Sequence, residues 1–354
     1  MSTRGTAAVV AILGGIVLTV LLFVPVAAIR YRKQGRLTGG DLLALVTTAV
    51  YGLALWTYTL LPLPANDDFE CREPITDLNE ILDGVRSHPH ATLLDLARNP
   101  MVLQVVLNVA LFVPLGFLLR VRARRGIVVA GLAGLAASLA IELTQYTGIW
   151  GLYHCAYRYF DVGDLIANPA GALIGSVAAA AVVGRTPEPA VRVTPRLTTG
   201  RRIASFASDL IIVVVTGAAA VVAWRAWLLV GRHVAVDDID HGTQAVVQWG
   251  VPFALQSVAV LASGRTLGEA TVQIRTRARR RGWTFPGRLL KLVSGVGVLS
   301  LLGAAVVPGS GWLLLSLLVV HLAAAPLTGG RGLSNFVAGL DVELTAPTTP
   351  APEP

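Results

Sequence analysis

AAVVAILGGIVLTVLLFVPVAAI, residues 7–29, contains no Asp, Glu, Lys or Arg. A transmembrane helix needs about 20 consecutive apolar residues to cross the hydrocarbon core of a bilayer. Further uncharged runs lie at 42–63, 100–119 and 165–184. Only 14% of the 354 residues are charged, whereas roughly a quarter are charged in a soluble domain. This pattern predicts an all-α fold, a polytopic membrane helical bundle.

The apolar runs predict about nine spans in two domains. The first domain, residues 1–184, has five spans, and the second, residues 201–343, has about four. Pro and Arg are frequent between the domains, which predicts a cytoplasmic linker at 185–200. The Pro- and Thr-rich segment 344–354 predicts a disordered tail. The predicted spans are 7–29, 42–62, 101–119, 126–147, 164–184, 203–230, 245–262, 289–307 and 311–326.

Charge alternates along the loops between the spans. The loops around Lys33, Arg124 and Arg279 are basic, whereas the long loop 62–100 is acidic. The positive-inside rule then predicts cytoplasmic odd loops, with the N-terminus outside and the C-terminus cytoplasmic in a bacterial cell membrane. The net charge of +8 is explained by these flanks and their contact with membrane lipids, so we predict no nucleic-acid partner.

Polar side chains cluster at the expected outer end of spans four and five. Charged groups at membrane depth are costly, so they are candidates for function. Helical spacing places Glu142 and Gln145 on one face, and it places the acidic residues of span five together with an amide on another. The predicted polar site therefore comprises Asn108, Glu142, Gln145, Arg158, Asp161, Asp164 and Asn168.

The motifs around these residues resemble the VanZ family over about residues 40–184. Relatives of that family are associated with low-level resistance to teicoplanin, a glycopeptide antibiotic. The resemblance therefore implies a part in the cell envelope but no particular reaction. The motifs are Asn108…Phe112-Val-Pro-Leu-Gly116, Ile141-Glu142-Leu-Thr-Gln145 and Arg158…Asp161…Asp164-Leu-Ile-Ala-Asn168…Gly171…Gly175.

The polar site leaves three interpretations open. The first is an interhelical network that holds spans four and five together. The second is a pocket for a polar ligand of the envelope, and the third is acid–base hydrolysis by paired carboxyl groups. No metal or other cofactor is predicted, because His154 and Cys155 alone are too few ligands for zinc.

The second domain resembles the RDD family over about residues 197–343. Arg202 and Asp209 occupy the positions of the family's first Arg–Asp pair, in the stretch Arg201-Arg202-Ile-Ala-Ser-Phe-Ala-Ser-Asp209. The resemblance implies transport in general terms. Asn335 stands where the family has a later Asp, and Glu269 stands where it has a Lys. These departures argue against a charge-dependent RDD activity.

Both cysteines, Cys71 and Cys155, fall in loops that the charge pattern places outside the cell. Disulfides persist in that oxidising compartment. We therefore predict a Cys71–Cys155 disulfide that ties the acidic loop over the polar site.

We predict a non-enzymatic envelope protein that binds a cell-wall precursor, a glycopeptide-related ligand or a lipid headgroup at its outer face. One alternative is a transporter for ions or small molecules that uses Asp209 or the Glu142 and Asp164 cluster. Another alternative is an intramembrane hydrolase. The sequence leaves open whether the protein forms a homo-oligomer.

Overall fold

Long apolar helices dominate the computed structural model, which describes residues 3–89, 91–183, 196–304 and 310–345. Eight of them are long and apolar enough to cross a membrane. The prediction of an all-α, polytopic membrane bundle is thereby confirmed. The eight helices cover Val9–Gln34, Gly39–Leu60, Pro100–Ala123, Ile127–Tyr146, Asp164–Ala181, Thr199–Gly231, His241–Ser263 and Thr284–Gly303.

The ninth predicted span is a shorter apolar helix, Gly311–Leu327. The turn that was expected to separate it from the eighth span lies largely outside the described residues, as do most of the linker and the C-terminal tail. The predicted side of each loop stays a prediction.

The chain divides into two compact units. The first unit comprises Met1–Leu18 and Val46–Ala190, and the second comprises Thr19–Leu45 and Val191–Pro354. Helices α1 and α2 therefore each contribute residues to both units. The helices up to residue 183 are α1 (Thr3–Gln34), α2 (Gly39–Leu60), α3 (Asn79–Arg86), α4 (Leu93–Arg98), α5 (Pro100–Ala123), α6 (Ile127–Tyr146), α7 (Gly148–Gly151) and α8 (Asp164–Val183).

Helix α8 packs closely against α5, and three glycines allow this approach. A Cβ atom on Gly171 would clash with the carbonyl group of Val109, and one on Gly175 would clash with that of Val113. From the facing helix, a Cβ atom on Gly116 would clash with the backbone of Ala172. Small residues let membrane helices approach backbone to backbone, as the Gly171-to-Gly175 spacing predicts.

The acidic loop between α2 and α5 runs beside the segment that connects α7 to α8. Ile75 forms a parallel bridge with Asp161. The backbone amide of Arg72 donates to the carbonyl of Ala156 at 2.9 Å, and that of Ile75 donates to Phe160 at 2.8 Å. These main-chain bonds fix the acidic loop against the connection that leads into α8.

The second unit contains the remaining helices and one small sheet. Strands β1 (Ile274–Ala278) and β2 (Leu340–Leu344) pair antiparallel, with Ile274 opposite Leu344. Ile274 is fully buried and packs with Tyr31, Ala204 and Val272 in an apolar core. The helices are α9 (Thr199–Ala226), α10 (His241–Ser263), α11 (Leu267–Thr271), α12 (Thr284–Leu292), α13 (Val298–Gly303), α14 (Ser310–Leu327) and α15 (Leu333–Val337).

Candidate functional site

The carboxyl group of Glu142 lies in the last two turns of α6 and is 1% exposed. The backbone amide of Asp161 donates to Glu142 Oε2 at 2.9 Å. Asp161 in turn accepts a 2.7 Å bond from the amide of Gly163 at Oδ1, just before α8 begins. The end of α6 is therefore joined to the start of α8 through one buried carboxyl group.

Asp164 occupies the first turn of α8, where the positive end of the helix dipole favours a negative side chain. Asn108 of α5 donates its side-chain amide to Asp164 Oδ1. The carboxyl groups of Asp164 and Glu142 also lie within hydrogen-bonding reach of each other. Two carboxyl groups can bond to each other only when one of them holds a proton.

Asn168 stands one turn further along α8 and is buried. Its side-chain amide donates to Ser138 Oγ at 2.8 Å, and Ser138 donates to the backbone carbonyl of Asp164 at 3.0 Å. Asn168 therefore supports the backbone at Asp164 and does not contact the carboxyl groups directly. Its Oδ1 atom is buried and has no partner among the described residues.

Arg158 and Gln145 meet at the carbonyl oxygen of Thr59, near the end of α2. Gln145 Nε2 donates to this oxygen at 2.7 Å, and Arg158 Nη1 donates to it as well. Two aromatic hydroxyl groups anchor the same segment, since Tyr157 donates to the carbonyl of Leu60 and Tyr153 to that of Pro64. Burial raises the pKa of Tyr157 to about 12, so this hydroxyl keeps its proton.

The structure thus brings all seven predicted polar residues into one region of the first unit. Arg158 is the cation among these seven residues, and it donates to the backbone carbonyl of Thr59. Within the described part of the chain, no ion pair joins Glu142, Asp161 or Asp164 to a Lys or Arg. Asp161 and Asp164 remain half-buried, so these two carboxyl groups are partly exposed and form no ion pair with a described Lys or Arg.

The predicted disulfide between Cys71 and Cys155 is confirmed, with the two Cα atoms 5.6 Å apart. His154 stands beside it, with Nε2 3.6 Å from Cys71 Sγ. These three side chains also bring metal-ligating atoms close together, but both sulfur atoms are already bonded to each other. Asp67 accepts a 2.7 Å bond from His154 Nδ1 on the other side of the ring.

In the second unit, Arg202 and Asp209 bind different partners. Arg202 forms an ion pair with Glu269 at 3.1 Å and also donates to the carbonyl of Arg331. Lys291 binds the other oxygen of Glu269. Asn335 Nδ2 donates to Glu269 Oε1 at 2.7 Å.

Asn335 and Glu269, the two residues that depart from the RDD pattern, are therefore hydrogen-bonded to each other. Asn335 can donate a hydrogen bond to Glu269, whereas an Asp in its place would set a second negative charge against it. Burial alone would raise the pKa of Glu269, but Lys291 and Arg202 outweigh it and hold that pKa at about 2. The sequence identifies Glu269 only as a departure that argues against a charge-dependent RDD activity. The structure places its carboxylate at the centre of a charge network.

Asp209 of α9 accepts three hydrogen bonds from the region of α10 and α11. The donors are Gln256 Nε2 at 2.8 Å, Thr266 Oγ1 at 2.6 Å and the backbone amide of Gly268 at 2.7 Å. Such donors stabilise the ionised carboxylate. In the described residues, Asp209 has no ion pair with Arg202.

A cavity of about 80 Å³ opens beside Asp209. Its walls are mainly apolar, and His321 is one of the residues that line it. His321 Nδ1 bonds to the carbonyl of Leu317 at 2.9 Å, and the ring stacks on Phe206. These contacts are typical of a packing histidine, although the buried Nε2 of His321 has no partner among the described residues.

Together, the fold and the polar cluster define a polytopic α-helical membrane protein with carboxyl groups at the ends of two adjacent spans. Residues 47–183 match the VanZ/LLP1 family model, VanZ-LLP1, and this segment contains the whole cluster. No curated protein matches the chain, and neither does any solved structure. The match does not extend to residues 197–343, where the RDD resemblance stays a prediction.

Proposed function

We propose that the first unit binds a polar cell-wall precursor or lipid headgroup through Glu142, Asp161 and Asp164, and that this binding lowers susceptibility to teicoplanin. The observation that carries the proposal is the grouping of three carboxyl groups without an ion pair to a described Lys or Arg. The similarity of residues 47–183 to the VanZ/LLP1 family supports the link to glycopeptide resistance.

The chemistry of the cluster indicates which ligand groups would fit. Ionised carboxylates only accept hydrogen bonds, so their natural partners are ammonium and hydroxyl groups. Three carboxylates in a partly desolvated site repel one another, and a bound cation or a retained proton relieves that repulsion. Amines and hydroxyl groups are abundant in peptidoglycan precursors and in lipid headgroups, which makes both suitable ligands.

Binding fits this geometry better than hydrolysis of a glycosidic bond. Glycosidases separate their two carboxyl groups by about 5 Å or more, so that a sugar or a water molecule lies between them. Glu142 and Asp164 instead lie within hydrogen-bonding reach of each other. This closeness favours a site that shares a proton or holds a small polar group.

Teicoplanin susceptibility tests the proposal directly. The wild-type protein and the variants Glu142→Gln and Asp164→Asn would be produced in a sensitive bacterium, with membrane abundance measured by immunoblot. Glu73→Gln is the matched control, because Glu73 is an exposed carboxylate of the acidic loop. We expect the wild type and the control to raise the minimum inhibitory concentration and both cluster variants to lose this effect.

A binding assay then identifies the ligand class. Purified proteins would be immobilised in detergent and exposed to a soluble muramyl pentapeptide precursor or to bacterial phospholipid in mixed micelles. If the wild type and Glu73→Gln retain one probe and the cluster variants do not, the proposal is supported. The retained probe then identifies the ligand class. Equal resistance in all four proteins at equal abundance would show that the cluster is only structural.

Transport through the second unit is a second candidate function, and the cavity beside Asp209 is the observation that favours it. An acidic residue next to a cavity inside a membrane bundle is a typical position for an ion or substrate contact. In proteoliposomes, Asp209→Asn should abolish an ion-dependent flux that the wild type supports. Glu142→Gln should leave that flux unchanged.

A further inference from the structure

His154 lies between a carboxylate and a disulfide in the exposed loops of the first unit. Its Nδ1 atom is 2.7 Å from Asp67 Oδ1, and its Nε2 atom is 3.6 Å from Cys71 Sγ. The backbone amide of His154 donates to the same Asp67 oxygen at 3.0 Å. One carboxylate oxygen therefore fixes both the main chain and the ring of the histidine.

Asp67 determines which nitrogen of His154 faces the sulfur. The amide and the ring of His154 hold the pKa of Asp67 below its ordinary value, so the side chain is an ionised acceptor. The proton of a neutral imidazole must then reside on Nδ1, which leaves Nε2 directed at Cys71. Phe69 packs against the imidazole with ring centroids 5.0 Å apart and restricts its rotation.

This arrangement gives the two sulfur atoms different surroundings. Cys71 Sγ is within hydrogen-bonding distance of the imidazole Nε2 atom, whereas Cys155 Sγ forms no hydrogen bond with a basic group among the described residues. In thiol–disulfide exchange, the leaving sulfur departs faster when its thiolate is stabilised. A neighbouring histidine stabilises a cysteine thiolate by accepting or sharing its proton.

The surrounding backbone keeps the sulfur atoms close after the bond is broken. Arg72 and Ile75 of the acidic loop hydrogen-bond to Ala156 and Phe160 through main-chain atoms alone. Reduction therefore leaves the two loops adjacent, and the disulfide can form again. The two loops are held together by hydrogen bonds as well as by the disulfide. This is consistent with a chemical role for the disulfide in addition to a structural one.

We propose that Cys71–Cys155 is a thiol-exchange site that oxidises a dithiol, with His154 assisting the departure of Cys71. A substrate thiolate attacks Cys155 Sγ, and the electron pair of the broken S–S bond passes to Cys71 Sγ. Protonated His154 donates its Nε2 proton to that sulfur. The second substrate thiol, deprotonated by neutral His154, attacks its own sulfur in the mixed disulfide and releases Cys155, which takes up the proton.

The net reaction converts one dithiol and one protein disulfide into one substrate disulfide and two protein thiols. His154 is the catalytic residue, because it contacts the sulfur that leaves. Asp67 is a positioning residue that acts through the imidazole. The inference is independent of the ligand-binding proposal, because it involves no residue of the carboxyl cluster.

The rate of reduction by dithiothreitol tests the proposal. Oxidised protein in detergent would be mixed with excess dithiothreitol, quenched with acid at intervals and alkylated, and the reduced fraction would be read by intact mass. We expect the wild type to react about tenfold faster than His154→Gln, because a leaving thiolate that is stabilised by the imidazole departs faster. Asp67→Asn should fall between them.

Two further measurements separate chemistry from structure. The control His88→Gln removes another exposed histidine of the acidic loop, one that bonds to Ser87 and Gly84 instead of the disulfide, and it should react at the wild-type rate. Glutathione trapping followed by peptide mapping should place the mixed disulfide on Cys155 in the wild type and on both cysteines in Asp67→Asn. Merely loosening the loops would not produce this selectivity.

The proposal is overturned if His154→Gln reacts as fast as the wild type or faster, or if wild-type glutathione is found mainly on Cys71. If His154→Gln does not form the disulfide at all, the proposal is judged on Asp67→Asn, by its rate of reduction and by the cysteine that carries glutathione. An unchanged rate with unchanged Cys155 selectivity in Asp67→Asn then rejects the mechanism.

Discussion

The backbone amide of Asp161 donates a 2.9 Å hydrogen bond to the carboxylate of Glu142. Asp161 is also the residue that bridges to Ile75 of the acidic loop. A membrane helix, the start of its neighbour and the acidic loop are therefore connected through one residue. Any ligand that binds the carboxyl groups changes the environment of the bond that holds this loop.

Replacing Glu142 by Leu should destabilise the protein more than replacing it by Gln. Leu leaves the backbone amide of Asp161, which faces the buried Glu142 side chain, without an acceptor, and this loss costs about 1–3 kcal/mol. Gln retains an acceptor oxygen of nearly the same shape. Thermal unfolding in detergent measures the difference, and Glu73→Leu serves as the exposed control. Equal unfolding temperatures for Glu142→Leu and Glu142→Gln would mean that this hydrogen bond contributes little to stability.

A methyl group on Gly175 should disturb the packing of α5 against α8. A Cβ atom there would clash with the backbone carbonyl of Val113, which cannot move without displacing the helix. Gly175→Ala should therefore lower the free energy of unfolding by about 1–3 kcal/mol. Gly52→Ala is the matched control, because nothing lies within 4 Å of a Cβ at that helical glycine.

The control should be neutral or stabilising, since alanine is the better helix former. The two variants would be compared by denaturant titration in the same detergent. A stable Gly175→Ala with an unstable Gly52→Ala would contradict the close approach of α5 and α8.

Hydropathy predicted the spans well, because a membrane helix needs a long uncharged run that no other element requires. Their positions at the end of span four and the start of span five also placed Glu142 and Asp164 at the same end of neighbouring spans. The Cys71–Cys155 disulfide was predictable because the charge pattern assigns the loops of both cysteines to the same, oxidising side of the membrane. In each of these cases, local sequence and a single physical constraint were sufficient.

The contacts of the second unit were not predictable in the same way. Glu269 and Lys291 lie in different helices, α11 and α12, with strand β1 between them, and neither belongs to a periodic pattern that would pair them. Arg202 and Asp209 share a helix, yet each binds residues far away in the sequence. Such pairings depend on how helices pack. The signal that could have revealed them was the low number of charged residues, each of which needs a partner at membrane depth.

The basic loops should all lie on one side of the membrane. Single cysteines introduced at Lys33, Arg124 and Arg279, in a background that retains the native disulfide, should react only with a membrane-permeant maleimide in intact cells. The positive-inside rule places these loops in the cytoplasm. A cysteine at Asp68 in the acidic loop is the external control and should also react with an impermeant maleimide. Impermeant labelling at Arg279 would show that the second unit is inverted relative to this prediction.

Glu269→Gln should be the most destabilising single change in the second unit. Lys291 is 1% exposed and Arg202 is 7% exposed, so removal of their shared carboxylate leaves two buried cations without the group that pairs with both of them. Breaking a buried ion pair from one side costs about 3–5 kcal/mol. Adding Lys291→Met removes one of these charges, so the double variant should be more stable than Glu269→Gln alone. Glu343→Gln is the exposed control from β2 and should be neutral.

The pH dependence of stability provides an independent test of the same network. The pKa of Glu269 is about 2 in the folded protein, below its ordinary value of 4.5. A lowered folded-state pKa gives stability that is complete above the unfolded value and is lost as the pH falls toward the folded value. The wild type should therefore lose stability between about pH 4.5 and pH 2, and Glu269→Gln should lose less over that interval. Unfolding temperatures at pH 6 and pH 3 measure this difference, with Glu343→Gln expected to follow the wild type. Equal losses in the wild type and Glu269→Gln would mean that Glu269 does not carry its charge against Lys291 and Arg202.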